Sequence, residues 1–136
     1  MIVDTSALVA VHLREEAWER LREALTDHDS VIPAPVMVEF NLVTSLSAND
    51  PDPDAEMLCS ALLSRSCRVG SFTTEDAALS TEAHRIHGRG NGRGGLLNML
   101  DVMVYCMAKR LGRPILCTGR DFASTDAQIH PDSRIF

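Results

Sequence analysis

Apolar and polar positions fall in blocks along this chain, and the period of the pattern switches between short apolar runs and helical stripes. Met1-Ile2-Val3 is an apolar run that stops abruptly at Asp4 and the hydroxyls of Thr5 and Ser6. It reads as a short buried strand feeding a helix from Ser6 to Leu13. Trp18, Leu21 and Leu25 recur at helical spacing between Glu15 and Leu25. After a turn at His28 to Ser30, Val31-Ile32-Pro33 is a second strand, and Pro35 fits the first turn of a helix running to about Ser47. Asn49 to Pro53 breaks the pattern as a loop. A helix from Asp54 to Leu63, a strand at Cys67-Arg68-Val69 and a helix from Thr73 or Thr74 to His87 follow. Asn98 to Leu111 is apolar nearly all round, the mark of a central helix, and Gly112 and Pro114 close it. Pro114 to Cys117 is a further strand, ending in the polar turn Thr118-Gly119-Arg120-Asp121-Phe122, and Ile129 can belong to a last edge strand.

Strands separated by helices imply an α/β domain with a parallel sheet and right-handed crossovers. The 136 residues form a single domain, 1–136, long enough to bury about two thirds of the unfolded surface. Apolar residues at 45% and charged residues at 24% exclude a disordered or fibrous chain. No basic, cleavable leader and no membrane-length apolar run is present, so the expectation is a cytoplasmic protein without a membrane. Cys59, Cys67, Cys106 and Cys117 form no CxxC pair and are expected as reduced thiols.

The net charge of -6 hides an asymmetry. Residues 1 to 84 carry 5 Arg against 15 acids, whereas residues 85 to 136 carry 7 Arg and 1 Lys against 4 acids. Arginine's planar fork suits phosphate. Arg85, Arg89 and Arg93 lie in or beside Gly88 to Gly95, the segment expected to be the most flexible, where they can meet a ligand's phosphates, a partner's acidic groups, or only solvent.

Four carboxylates bear on the chemistry. Asp4 and Asp121 each follow a strand, at the sheet edge where ligands bind in parallel sheets; helix capping would explain either equally well. On the helical wheel Glu39 falls between Leu46 and Val43 and near Phe40, with the core face, where a lone carboxylate must be paired, hydrogen-bonded or metal-bound. Asp101 likewise sits near Leu97, Val104 and Tyr105, although Asn98 to Asp101 is also the spacing of a capping box. If these acids share a site, oxygen ligands without His or Cys select Mg²⁺ or Mn²⁺, and such a site suits phosphodiester hydrolysis.

Here the sequence resembles the PIN-domain ribonucleases, and among them the VapC toxins of bacterial toxin–antitoxin pairs. Met1 to Leu8, Pro35 to Glu39, Leu97 to Asp101 with Tyr105 to Lys109, and Pro114 to Phe122 with Thr125-Asp126 are similar to that family's segments, in order, over essentially the whole chain. The resemblance implies a three-layer α/β/α PIN-like domain with a central parallel sheet of four to five strands, and a Mg²⁺-dependent endoribonuclease acting on structured RNA such as tRNA or rRNA. It implies Asp4, Glu39, Asp101 and Asp121 as catalytic metal ligands, with Ser6 and Thr118 supporting them. It implies a homodimer and a VapB-like antitoxin as partners. Leu100 and Arg120 depart from the family pattern, and Arg120 leaves either Asp121 or Asp126 as the fourth acid. These departures keep open a catalytically weak module that binds RNA or a protein partner.

Other motifs point elsewhere without support. Gly90 to Gly95 satisfies GxGxxG but follows a helical segment, so dinucleotide binding is not expected. His84 and His87 lack a third metal ligand and read as a surface pair.

Overall fold

The computed structural model describes residues 1–26, 29–45 and 50–136. The expected turn at His28, the helix end at Ser47, the place of Leu46 and the start of the loop at Asn49 lie outside them. Four short strands, β1 (Ile2–Val3), β2 (Ser30–Pro33), β3 (Cys67–Gly70) and β4 (Ile115–Leu116), form a parallel sheet in the order β3-β2-β1-β4. Both faces of a central parallel strand must be covered, which is why β1, β2 and β4 are buried along their whole length. The helices that cover them are α1 (Thr5–His12), α2 (Trp18–Leu25), α3 (Ala34–Thr44), α4 (Pro53–Arg65), α5 (Thr74–His87) and α6 (Met99–Leu111). A three-layer α/β/α domain results, as expected. None of the described helices is long and apolar enough to cross a membrane.

The expected last edge strand is present as isolated bridges: Ile129 pairs with Ile115 and Arg134 with Thr118, both parallel. Backbone bonds from Ile115 N to Gln128 O (2.8 Å) and Gly119 N to Arg134 O (2.8 Å) bind this segment to β4 and to the turn beyond it. All four cysteines are buried free thiols.

One expectation needs correcting. Val43 is not on the core face: only Val36 and Phe40 of α3 are buried, and the C-terminal turn of that helix stands at a cleft mouth with Val43 59% exposed. The Gly88 to Gly95 segment takes its shape from one side chain. Asn91 Nδ2 donates to the Arg85 and Ile86 carbonyls (3.3 and 3.0 Å), while its Oδ1 accepts from Arg93 N and Gly95 N (2.7 and 3.2 Å). The glycines serve geometry: a Cβ on Gly95 would lie 2.3 Å from the Gly88 carbonyl oxygen, and Gly90, Gly92 and Gly94 take positive φ.

Helices α5 and α6 are tied to each other by an ion pair whose carboxylate is fully buried. Thr73 and Asp76 make a capping box at the start of α5, and Arg110 of α6 donates from Nε and Nη2 to the two Asp76 oxygens (2.7 and 3.0 Å). Burial pushes the Asp76 carboxyl up, but the bonds from Arg110 and Thr73 outweigh it and hold its pKa below the usual value. The stabilisation is therefore present above the ordinary carboxylate range and is lost as pH falls through the lowered folded value. Arg110→Ala is expected to lower the unfolding free energy by about 2–3 kcal/mol at pH 7, read from the urea midpoint, with the difference from wild type closing in acid.

Candidate functional site

The carboxyl ends of β1 and β4, the first turn of α6 and the inner face of α3 open on one cleft of about 740 Å³. Asp4, Glu39, Asp101 and Asp121 all line it, with Ser6 and Thr118 beside them. The parallel sheet explains the convergence: β1 and β4 are neighbours and run the same way, so Asp4 and Asp121, which follow them, emerge at one edge.

The local chemistry holds each acid in place. Asp4 is 6% exposed and caps α1, its Oδ2 accepting from Ser6 N (3.0 Å) and Ser6 Oγ (2.5 Å). Ser6 Oγ also accepts from Thr118 N (3.0 Å), so one hydroxyl bridges the ends of β1 and β4. Thr5 Oγ1 donates to Glu39 Oε2. Asp101 closes a capping box, its Oδ2 accepting from Asn98 N (2.8 Å), so capping and cleft lining coexist in that residue as they do in Asp4. Asp121 differs: it precedes the 3-10 turn Phe122–Ser124 but its side chain makes no capping bond.

Electrostatic strain marks the cluster. Burial pushes Asp4 up, the Ser6 bonds pull it back, and Glu39 raises it further. Burial also raises Asp101, to about 7, against the Asn98 bond, and Asp4, Asp121 and Glu39 add repulsion. Among the described residues no three acids, histidines or cysteines stand close enough to clasp one ion as they are now placed. The donor set is nonetheless all oxygen and crowded with negative charge, the chemistry that fits a hard divalent cation.

Asp121 lines the cleft, and Asp126 stands elsewhere. Asp126 accepts from Tyr105 Oη (2.6 Å) and Lys109 Nζ (3.0 Å) and lies within 3.6 Å of His87 Nε2, away from the cleft. Arg120 donates from Nε to the Phe136 carbonyl (2.7 Å). His84 and His87 do not act together: His87 packs on the Tyr105 ring at 5.2 Å, while His84 lies against Gly88. Of the three arginines of the glycine loop, Arg85 is paired with Glu82, whereas Arg89 and Arg93 make no ion pair among the described residues.

Sequence reasoning missed Thr5, His12 and Asp52, which also line the cleft. The signal was available for α1, because Thr5, Val9 and His12 stand at i, i+4 and i+7 and share a stripe with the first acid's helix end.

A model of the PIN domain family matches residues 1–128. Ribonuclease VapC42 of Mycobacterium tuberculosis is 34% identical over 128 residues, 93% of this chain and 95% of its own length. Ribonuclease VapC36 of the same organism is 35% identical over 132 residues, covering 95% and 92%. Among solved structures, the chain is similar to VapBC2 from Rickettsia felis, bound to a DNA fragment from its promoter, with a TM-score of 0.70 at 14% identity and coverage of 99% and 96%. It is also similar to M. tuberculosis VapC20, a sarcin–ricin loop cleaving toxin, with a TM-score of 0.69 at 18% identity and coverage of 93% and 95%. The chain belongs to the PIN-domain family.

The raised pKa of Asp101 fixes the sign of one effect. Its folded value lies above its unfolded one, so its contribution to stability is fully present below about pH 4 and is lost as pH rises through about 7. In protein stripped of divalent cations, Asp101→Asn is therefore expected to raise the melting temperature by a few degrees at pH 8 and to change it little at pH 4, as thermal melts at the two pH values would show.

Proposed function

We propose that this PIN domain is the endoribonuclease toxin of a toxin–antitoxin pair, hydrolysing phosphodiester bonds of structured RNA in the four-carboxylate cleft. The observation that carries the reading is the convergence of Asp4, Glu39, Asp101 and Asp121, from separate elements, on one cleft where Asp4 and Asp101 are held above their ordinary pKa. The names of the relatives that match over more than nine-tenths of this chain support it, since VapC42 and VapC36 are ribonucleases.

Asp4, Glu39, Asp101 and Asp121 would hold Mg²⁺, with Mn²⁺ as a substitute. Such an ion supplies Lewis acidity toward a phosphoryl oxygen and activates water. The chain's own residues supply order. Ser6 and Thr5 orient the Asp4 and Glu39 carboxylates, and the Thr118 amide fixes Ser6 in turn. Arg89 and Arg93, on the loop shaped by Asn91, reach RNA phosphates; Arg85 must first leave Glu82 to do the same. A VapB-like antitoxin that covers the acidic cleft and a second copy of this chain are the partners, and the cytoplasm is the compartment.

The test is cleavage of a pooled tRNA and rRNA preparation by purified protein with Mg²⁺, Mn²⁺ or EDTA. Discrete cuts are expected with either ion and none with EDTA, and Asp4→Asn or Asp101→Asn is expected to reduce cutting by about a hundredfold or more. Cutting that survives EDTA or both substitutions overturns the assignment of the site. A well-folded protein that cuts nothing but retains RNA or a protein partner would be a binding module instead.

A further inference from the structure

The cleft has a second end that the carboxylates do not use. From Thr5 the shared stripe of α1 runs through Val9 to His12, and seven residues at about 1.5 Å each set the imidazole about 10 Å along the helix. That is too far to touch a phosphate held by the acids, and suits a nucleotide flanking it. The His12 side chain is 10% exposed, its ring meets Phe40 edge-on at 5.9 Å, and its Nε2 stands 2.9 Å from Asp52 Oδ2. Asp52 is itself fixed, because its Oδ1 caps α4 by accepting from Asp54 N (2.9 Å).

Tautomer logic follows from this contact. An ionised carboxylate only accepts, so the bond places the proton of a neutral ring on Nε2 and leaves Nδ1 as a lone-pair acceptor. Nδ1 meets no hydrogen-bonding partner among the described residues, and none of their buried side-chain nitrogens or oxygens is unsatisfied. Nδ1 is therefore an unused acceptor on a residue that lines the cleft. A neutral acceptor does not suit phosphate, whose oxygens also accept. The donor that RNA offers at every nucleotide, and DNA lacks, is the ribose 2′-hydroxyl.

We propose that His12, with its tautomer set by Asp52, contacts the substrate by accepting a hydrogen bond from a 2′-hydroxyl on a nucleotide flanking the cut, and so helps the cleft tell RNA from DNA. The inference rests on the ribonuclease reading and deepens it by naming a specificity residue. Asp52 is the positioning residue.

The test reads binding, so that it does not depend on turnover. Short labelled RNAs, each with a single 2′-deoxy substitution walked through the sequence, are titrated by anisotropy at pH 8 with Mg²⁺ against Asp4→Asn protein alone and combined with His12→Phe, His12→Asn or Asp52→Asn. Without a change at position 12 or 52, one flanking 2′-deoxy position is expected to weaken binding about three- to tenfold. His12→Phe keeps a ring against Phe40; it should lose the same factor on unmodified RNA and become indifferent to that substitution. His12→Asn, which returns an acceptor near the place of Nδ1, should restore the sensitivity. Asp52→Asn preserves the cap of α4 but frees the tautomer, and should blunt it. The inference is overturned if no oligonucleotide binds, if no single position discriminates, or if His12→Phe weakens every oligonucleotide equally, the mark of a merely structural role. Failure of the unsubstituted protein to cut any RNA sinks the nuclease reading separately, while these affinities still decide the fate of His12.

Discussion

Like charges held together at the edge of a sheet are the constraint on which this molecule depends. Asp4 is almost wholly buried and Asp101 is raised to about 7 with three other carboxylates acting on it. No fold keeps such a group for its stability, because each ionised acid raises the cost of the next. The cost is offset by backbone and hydroxyl donors aimed at three of the four carboxylates. Ser6 serves Asp4, Thr5 serves Glu39, and the Asn98 amide serves Asp101. The same bonds start helices α1 and α6, so the elements of the fold and the posture of the acids are fixed by the same atoms.

This double use explains what could be read from the residues and what could not. Asp4 and Asp101 looked equally like caps and like ligands, and the structure makes both readings true at once: a cap uses one carboxylate oxygen of a side chain that still lines the cleft. Glu39 was legible because a carboxylate on an apolar stripe needs a partner, but the identity of that partner, Thr5, depends on how α1 crosses α3. The α/β layering and the parallel sheet followed from the alternation of apolar runs and stripes, whereas the lateral order β3-β2-β1-β4 came only with the structure.

The misses share a cause. Glycine content marked Gly88 to Gly95 as a loop but not its shape, which a single asparagine side chain, bonded four times, sets; local composition cannot report which side chain will fold back. Val43 was placed inside by periodicity, but α3 carries more apolar surface than its neighbours cover. The place of Asp126 depends on the long-range partners Tyr105 and Lys109, which stand 21 and 17 residues from it in the chain. Asp52 and His12 are 40 residues apart, and nothing local pairs them.

The segment from Gln128 to Arg134 makes one corner of the cleft different from the others. It runs beside β4 and bonds to the turn that carries Asp121, yet it follows all four acids in the chain. Asp4, Glu39 and Asp101 take their places from β1, α3 and α6, whereas the turn bearing Asp121 has its outer backbone partner in this last stretch. The chain's final residues thus brace the cleft from outside, although none of them lines it.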